Sequence, residues 1–103
     1  MSDEPEFELP ELQDTILDPG TLQQLVHDLT TCTEVQDVLL KGGPMARTNA
    51  KSVSLADAVE QLQAGGVFGV QVRYRWEEAE WRDTLMRTPS GIRLVRMRMP
   101  DLA

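Results

Sequence analysis

The sequence predicts an α+β two-layer sandwich, with two helices on one face of a four-stranded mixed sheet that ends in an antiparallel meander. The first observation is a period-two alternation of apolar and polar residues over Val67–Met99, which is broken by two turn segments and is typical of three antiparallel strands. The second is helical spacing of apolar residues over 18–32 and 54–65. The third is a short apolar run, Glu34–Lys41, which supplies a fourth strand. Helices and a sheet bury their apolar surfaces by forming two layers.

The segment 1–17 is predicted to be an acidic, largely flexible N-terminal tail in front of a single α+β domain at 18–103. Residues 1–18 contain seven of the 17 acidic residues of the chain and no basic residue. Pro5 and Pro10 prevent a continuous helix there, although spaced apolar residues allow the second half of the tail to pack on the domain. The remaining chain carries ten acidic and ten basic residues, so the net charge of −7 comes from residues 1–18.

The first helix is predicted to begin at Asp18, a good N-cap that is followed by proline at the first helical position. Its buried stripe consists of apolar residues at helical spacing: Leu22, Leu25, Val26, Leu29 and Cys32. Cys32 is therefore expected to carry a buried, unreactive thiol. His27 falls on the opposite face of the helix, so the spacing disfavours a catalytic pair with Cys32.

The run Glu34–Lys41 is interpreted as a short strand, although its consecutive apolar residues are also compatible with continuation of the helix. The second helix is expected to begin after Ser54, with Asp57 completing the capping arrangement, and to end at Gly65. A right-handed crossover through this helix would place the first strand parallel to the start of the meander. This arrangement makes the predicted sheet mixed.

A long loop, Gly42–Val53, separates that strand from the second helix. It contains Arg47 and Lys51, which are possible loop contacts for a ligand because long loops in compact domains are often functional. Lys41 and the two glycines after it invite comparison with phosphate-binding loops. The spacing of those motifs is absent, however, so a nucleotide site is disfavoured.

The two turns of the meander set its predicted register. A turn with a bulge after Thr88 pairs that residue with Ile92, and a four-residue loop, Glu77–Glu80, pairs Trp76 with Trp81. One face of the meander is then mainly apolar and is covered by the helices. The opposite face carries five arginines: Arg73, Arg75, Arg82, Arg96 and Arg98. Like charges at opposite positions destabilise a sheet, so these arginines are expected to need counter-charges.

The five arginines are the predicted partner-binding residues. We expect them to bind an acidic protein segment, since the guanidinium group recognises a carboxylate with two parallel hydrogen bonds. The occupant of this face could also be the chain's own residues 1–17. The alternative interpretation is a solvated face whose arginine side chains extend into water.

Two other functions are compatible with the sequence. One is binding of RNA or single-stranded nucleic acid on the same face, which is disfavoured by the acidic net charge and by the aromatic side chains lying on the buried side. The other is a small-molecule-binding protein or enzyme with a pocket near Tyr74 and Asp83. The predicted register places Asp83 on the apolar face, where burial raises the pKa of a carboxyl group. A hydrogen bond from the Tyr74 hydroxyl is the structural alternative.

Other chemistries find no support in the sequence. A single cysteine excludes an internal disulfide, clustered Cys and His ligands for a metal are absent, and no catalytic residue or cofactor is predicted. Neither a signal peptide nor a membrane span is visible, so the sequence indicates a cytoplasmic protein. A homodimer is possible through the edge strand Glu34–Lys41 or through the helices, since the arginine face would repel a second copy.

Overall fold

The computed structural model describes residues 12–43 and 54–100. The elements are, in chain order, β1 (Leu12–Leu17), α1 (Pro19–Cys32), β2 (Glu34–Lys41), α2 (Leu55–Ala64), β3 (Gly69–Trp76), β4 (Ala79–Thr88) and β5 (Gly91–Arg98). Both helices pack against one sheet, which confirms the predicted α+β class. Neither of the two described helices is long and apolar enough to cross a membrane.

Both helices begin after the residues that the sequence predicts as N-caps. The Asp18 carboxylate accepts a hydrogen bond from the Thr21 amide at 2.7 Å, and the Ser54 hydroxyl accepts one from the Asp57 amide at 3.1 Å. Gly65 ends α2 in the left-handed conformation, with φ at 93°. These local signals fix the ends of the helices independently of the sheet.

The apolar stripe of α1 is shorter than predicted. Leu22, Val26 and Leu29 are buried, whereas Cys32 is exposed. The prediction of a buried thiol is therefore wrong. Cys32 is the last residue of the helix and lies beyond the residues that pack on the sheet.

The sheet has five strands in the order β1-β5-β4-β3-β2, and every neighbouring pair is antiparallel. The prediction of four strands in a mixed sheet is wrong in both respects. Lys41 at the end of β2 pairs with Gly69 at the start of β3, so the connection through α2 starts and finishes at the same end of the sheet. Such a connection makes neighbouring strands antiparallel, whereas a crossover makes them parallel.

The additional strand, β1, comes from the segment 1–17 that was predicted to be an acidic tail. It pairs with β5 over its whole length, from Leu12 opposite Met97 to Leu17 opposite Ile92. Leu17 is buried in the core, so residues 12–17 are part of the domain. The rest of the predicted tail, residues 1–11, lies outside the described residues.

The turn between β3 and β4 is shorter than predicted. It consists of Glu77 and Glu78, which both have positive φ, at 51° and 65°. Trp76 consequently pairs with Ala79 and not with Trp81. The pairing is displaced by two residues from the predicted one, which leaves every side chain of β4 on its predicted face.

The turn between β4 and β5 also has only two residues, Pro89 and Ser90, and Thr88 pairs with Gly91 and not with Ile92. The Thr88 hydroxyl supports this tight turn by donating to the Gly91 carbonyl at 2.8 Å and accepting from the Ser90 amide at 3.2 Å. The predicted register was wrong by one residue. A one-residue difference exchanges the two faces of a strand, so every side chain of β5 lies on the face opposite to its predicted one.

One hydrophobic core lies between the helices and the sheet. The helices contribute Leu22, Val26, Leu29, Leu55, Ala58, Val59 and Leu62, and the sheet contributes Leu17, Val38, Leu40, Val70, Val72, Tyr74, Ala79, Trp81, Leu85 and Leu94. We call this side of the sheet the helix-side face. The opposite side is called the open face, because neither described helix packs on it.

Candidate functional site

The open face displays the side chains that alternate along each strand with those of the core. The strand pairing places these residues on it: Asp14 and Ile16 of β1; Arg93, Val95 and Met97 of β5; Glu80, Arg82, Thr84 and Met86 of β4; Gln71, Arg73 and Arg75 of β3; and Glu34, Asp37, Leu39 and Lys41 of β2. Residues that pair directly lie side by side on one face, so the pairing defines rows that run across the strands.

Three of the five predicted partner-binding arginines lie on the open face: Arg73, Arg75 and Arg82. The assignment of Arg96 and Arg98 to this face was wrong, because the one-residue difference in the β5 register turns both to the helix-side face. Arg98 pairs with Trp81 and is exposed near the end of β5, whereas Arg96 is buried. The same register brings Arg93, which is not among the predicted partner-binding arginines, to the open face.

Arg73 and Arg82 place two positive charges at directly opposite positions of β3 and β4. Arg73 has an ion pair with Asp37, with 3.7 Å between Nη2 and Oδ2, and both side chains are about half exposed. Among the described residues, Arg82 has no ion-pair partner within 4.0 Å, and its buried Nε has no hydrogen-bond acceptor. The Arg82 guanidinium therefore retains an unused donor beside another positive charge.

A shallow cavity of about 220 Å³ lies beside these two arginines, and we call it the arginine pocket. It is lined by Asp37, Leu39, Gln71, Arg73 and Arg82. The lining combines two guanidinium groups, one carboxamide and one apolar side chain, and its one carboxylate is already paired with Arg73. This set of donors suits a small anionic group such as a carboxylate.

Carboxylates accompany the other arginines of the open face. Arg75 is in register with Glu34 on one side and with Glu80 on the other. Arg93 donates two hydrogen bonds to Asp14, at 2.9 and 2.6 Å, and these bonds lower the pKa of the Asp14 carboxyl group. The open face is consequently not basic throughout, and the arginine pocket is the place where two of its guanidinium groups lie at directly opposite positions.

Large apolar side chains are also exposed on the open face. Ile16, Leu39 and Met97 are 46%, 44% and 43% exposed. Leu39 lines the arginine pocket, and Met97 pairs directly with Arg82. Ile16, Leu39 and Met97 belong to three different strands, so they provide separate apolar contacts beside the charged groups and not one continuous patch.

Asp83 lies on the helix-side face and is completely buried. Its carboxylate accepts a hydrogen bond from the Tyr74 hydroxyl at 2.9 Å, which is the bond expected for a structural role of Asp83. It also accepts two from Arg96, at 2.9 Å from Nε and 2.8 Å from Nη2. Burial raises the pKa of the Tyr74 hydroxyl. Burial acts to lower the pKa of Arg96, but the hydrogen bonds and charge of Asp83 outweigh it and raise that pKa.

This buried triad is a structural network. Tyr74 and Asp83 have no exposed surface, both carboxylate oxygens of Asp83 have donors, and Arg96 neutralises its charge. A ligand could reach the carboxylate only if the core opened. The geometry therefore gives no support to a substrate pocket at Tyr74 and Asp83.

Comparison with known proteins assigns no family to the chain. No protein-family model matches it, and no curated protein or solved structure matches it significantly. Within residues 12–43 and 54–100, no group of three or more His, Cys, Asp or Glu side chains is placed to hold a metal ion. Arg47 and Lys51, the predicted loop contacts, lie outside the described residues. Functional conclusions therefore depend on the geometry of the open face.

Proposed function

We propose that the protein is a non-enzymatic interaction module whose open face binds an acidic, partly apolar protein segment. The observation that carries the proposal is the state of Arg82, which lies opposite Arg73, has no ion-pair partner among the described residues and has a buried Nε without an acceptor. Like charges at opposite positions of a sheet are destabilising. A carboxylate between the two guanidinium groups would remove that repulsion and accept hydrogen bonds from their terminal amino groups.

A carboxylate side chain fits the arginine pocket in both chemistry and size. The planar guanidinium group matches a carboxylate with two parallel hydrogen bonds, and Gln71 adds an amide donor. A cavity of about 220 Å³ has room for a side chain and not for a large ligand. A hydrogen bond to a charged group contributes about 1.5–3 kcal/mol. Loss of the Arg82 contact should therefore weaken binding roughly ten- to hundredfold.

The apolar neighbours of the pocket define the rest of the partner segment. Leu39 and Met97 lie on opposite sides of Arg82 and are both partly exposed. Apolar residues of the partner that flank its acidic residue would cover them and bury apolar surface, which contributes about 25 cal/mol per Å². The expected ligand is a segment in which acidic and apolar residues are mixed.

Binding of nucleic acid to the open face is disfavoured by the position of the aromatic side chains. Proteins hold single strands by stacking bases on aromatic rings. Tyr74 and Trp81 are buried on the helix-side face, and the rings of Trp76 and Trp81 pack edge to face with their centroids 6.4 Å apart. The strand pairing places no aromatic residue on the described part of the open face.

A cytoplasmic location is part of this proposal. Cys32 is the only cysteine of the sequence, and its thiol is exposed. Exposed free thiols are compatible with a reducing compartment such as the cytoplasm. Fractionation of cells that express the tagged chain would test this assignment.

The binding proposal is tested with a fluorescein-labelled dodecapeptide that contains five glutamates and two leucines in a glycine–serine background. Fluorescence anisotropy gives its Kd for the wild-type chain, for Arg82→Gln and for Arg87→Gln. Arg87 is the control, because it is an exposed arginine of the same strand on the helix-side face. We expect Arg82→Gln to raise Kd at least about tenfold, since a charged contact is lost, and Arg87→Gln to change it little.

Two results would contradict the proposal. Equal weakening by both substitutions would mean that the peptide responds to overall charge and not to the arginine pocket. Tighter binding of a twelve-nucleotide oligouridine than of the peptide, with a steep dependence on salt concentration, would instead favour nucleic acid as the ligand.

A further inference from the structure

We propose that residues 1–11 of the chain compete with external acidic segments for the arginine pocket, so that the chain regulates access to its own open face. This inference rests on the function proposed for that face. It concerns which ligand occupies the pocket first. Three observations support it: the position of β1, the charge of the segment before it, and an Arg82 side chain that has no ion-pair partner among the described residues.

The strand pairing places the start of β1 in the same row as the arginine pocket. Leu12 pairs with Met97, Met97 pairs with Arg82, and Arg82 pairs with Arg73. Neighbouring strands lie about 4.8 Å apart, so β1 is roughly 10 Å from Arg82 and 14 Å from Arg73. An extended chain covers about 3.3 Å per residue, so four or five residues are enough to cover that distance. The segment that precedes Leu12 is therefore tethered within reach of both guanidinium groups.

The composition of this segment matches the ligand expected for the pocket. Residues 1–11 contain five acidic residues and no basic one: Asp3, Glu4, Glu6, Glu8 and Glu11. Phe7 and Leu9 alternate with two of these acids, Glu6 and Glu8. A segment of this kind can place a carboxylate at Arg82 and an apolar side chain near Met97, which is 43% exposed.

Residues 1–11, which we call the tether, are covalently attached to the domain, so even a weak contact between them and the arginine pocket is effective. A ligand that is attached through a short connection is held at an effective concentration of the order of millimolar. An external acidic segment must displace residues 1–11, so its apparent affinity falls by the fraction of chains in which the pocket is already occupied. Full affinity is then reached only when a partner outcompetes the tether or when the tether is engaged elsewhere.

The experiment neutralises the tether without changing the length of the chain. The variant Glu4→Gln/Glu6→Gln/Glu8→Gln is titrated with the same labelled dodecapeptide and is compared with wild type. A control variant, Glu60→Gln/Glu77→Gln/Glu78→Gln, changes the net charge equally at three exposed positions outside the open face. We expect the tether variant to bind the peptide at least about fivefold more tightly than wild type, and the control variant to bind it like wild type.

A second readout follows the pocket directly. In a nitrogen-15 NMR spectrum, the Nε–Hε resonance of Arg82 should shift when the tether is neutralised in the absence of peptide, and the control variant should leave it in place. When the three glutamate substitutions of the tether are combined with Arg82→Gln, the gain in peptide affinity should disappear, because the substitution of Arg82 removes the site of competition.

The outcomes separate this inference from the proposed function. The competition would be overturned if the tether and control variants gained equally in peptide affinity. It would also be overturned if the tether variant showed neither a gain in affinity nor a shift of the Arg82 resonance. Both results would leave Arg82-dependent binding of the peptide intact. Absence of Arg82-dependent peptide binding in every variant would overturn both the competition and the proposed function.

Discussion

Asp83 shows how one buried charge determines the residues around it. A carboxylate that loses its contact with water requires donors for its oxygens and a compensating charge. Tyr74 and Arg96 supply three hydrogen bonds, and Arg96 supplies the positive charge. Each member of the triad consequently depends on the other two.

Replacing Arg96 should therefore be costly. We expect Arg96→Met to lower the free energy of unfolding by about 3–5 kcal/mol, because it leaves the Asp83 charge buried and uncompensated. Urea denaturation followed by circular dichroism measures this change. Arg87→Met is the matched control, since an exposed arginine should contribute within about 0.5 kcal/mol.

The all-apolar variant Tyr74→Phe/Asp83→Leu/Arg96→Met identifies the cause of that loss. It removes the buried charge together with both of its partners, so most of the stability lost in Arg96→Met should return. A triple variant as unstable as the single one would show that the loss comes from packing and not from the unpaired carboxylate.

Asp14 should make the attachment of β1 sensitive to acid. Its hydrogen bonds with Arg93 lower its pKa below the ordinary value of 3.8. A lowered pKa means that the folded state favours the charged carboxylate, so this stabilisation is present above the unfolded pKa and is lost as the pH falls through the lower folded pKa. The melting temperature of wild type should exceed that of Asp14→Asn at pH 6, and the difference should shrink towards pH 3. A difference that stays constant with pH would show that the charge of Asp14 is not involved.

Strand β5 shows why polarity alone selected the wrong register. One register buries Val95 and Met97 and leaves Arg96 outside, and sorting residues by polarity favours it. The other buries Leu94 and Arg96 and is the one observed. The deciding signal was present in the sequence, because a carboxylate at Asp83 on the apolar face needs a cation opposite it, and only the observed register provides one.

The elements differ in how far local sequence determines them. The helices were predictable because Asp18, Ser54 and Gly65 mark their ends with local hydrogen bonds and backbone conformation. The alternation of β3 and β4 was also sufficient to place Arg73, Arg75 and Arg82 on the open face. β1 and the direction of β2 were not predictable in this way, since each depends on a partner strand distant in the sequence.

The residues of the turn between β3 and β4 are not the most stable choice for its backbone conformation. Glu77 and Glu78 adopt positive φ, a conformation that glycine and asparagine accept at much lower cost. We expect Glu77→Asn/Glu78→Gly to raise the free energy of unfolding by about 0.5–2 kcal/mol. Glu60→Gly, an exposed position inside α2, should instead lower it by about 1 kcal/mol. Thermal and urea denaturation of both variants would test the difference, and a destabilised turn variant would contradict the prediction.

At the scale of the whole molecule, the two described helices cover one side of the sheet and neither of them packs on the other side. The helix-side face holds the core and the buried triad, whereas the open face combines exposed Ile16, Leu39 and Met97 with an arginine that lacks a described counter-ion. Because the core and the buried triad lie on the helix-side face, side chains of the open face can be changed without altering the packing of the core. Substitutions in the arginine pocket should accordingly affect binding more than stability.

The pairing of β1 with β5 also constrains the order in which the molecule can be built during translation. β1 leaves the ribosome before its neighbour β5, which follows only after most of the domain has been made, since Asp14 and Arg93 are 79 residues apart. An unpaired strand is a template for aggregation, and nearby charges of one sign oppose it. The seven acidic residues within 1–18 would therefore oppose aggregation of β1 during the time before β5 has been synthesised.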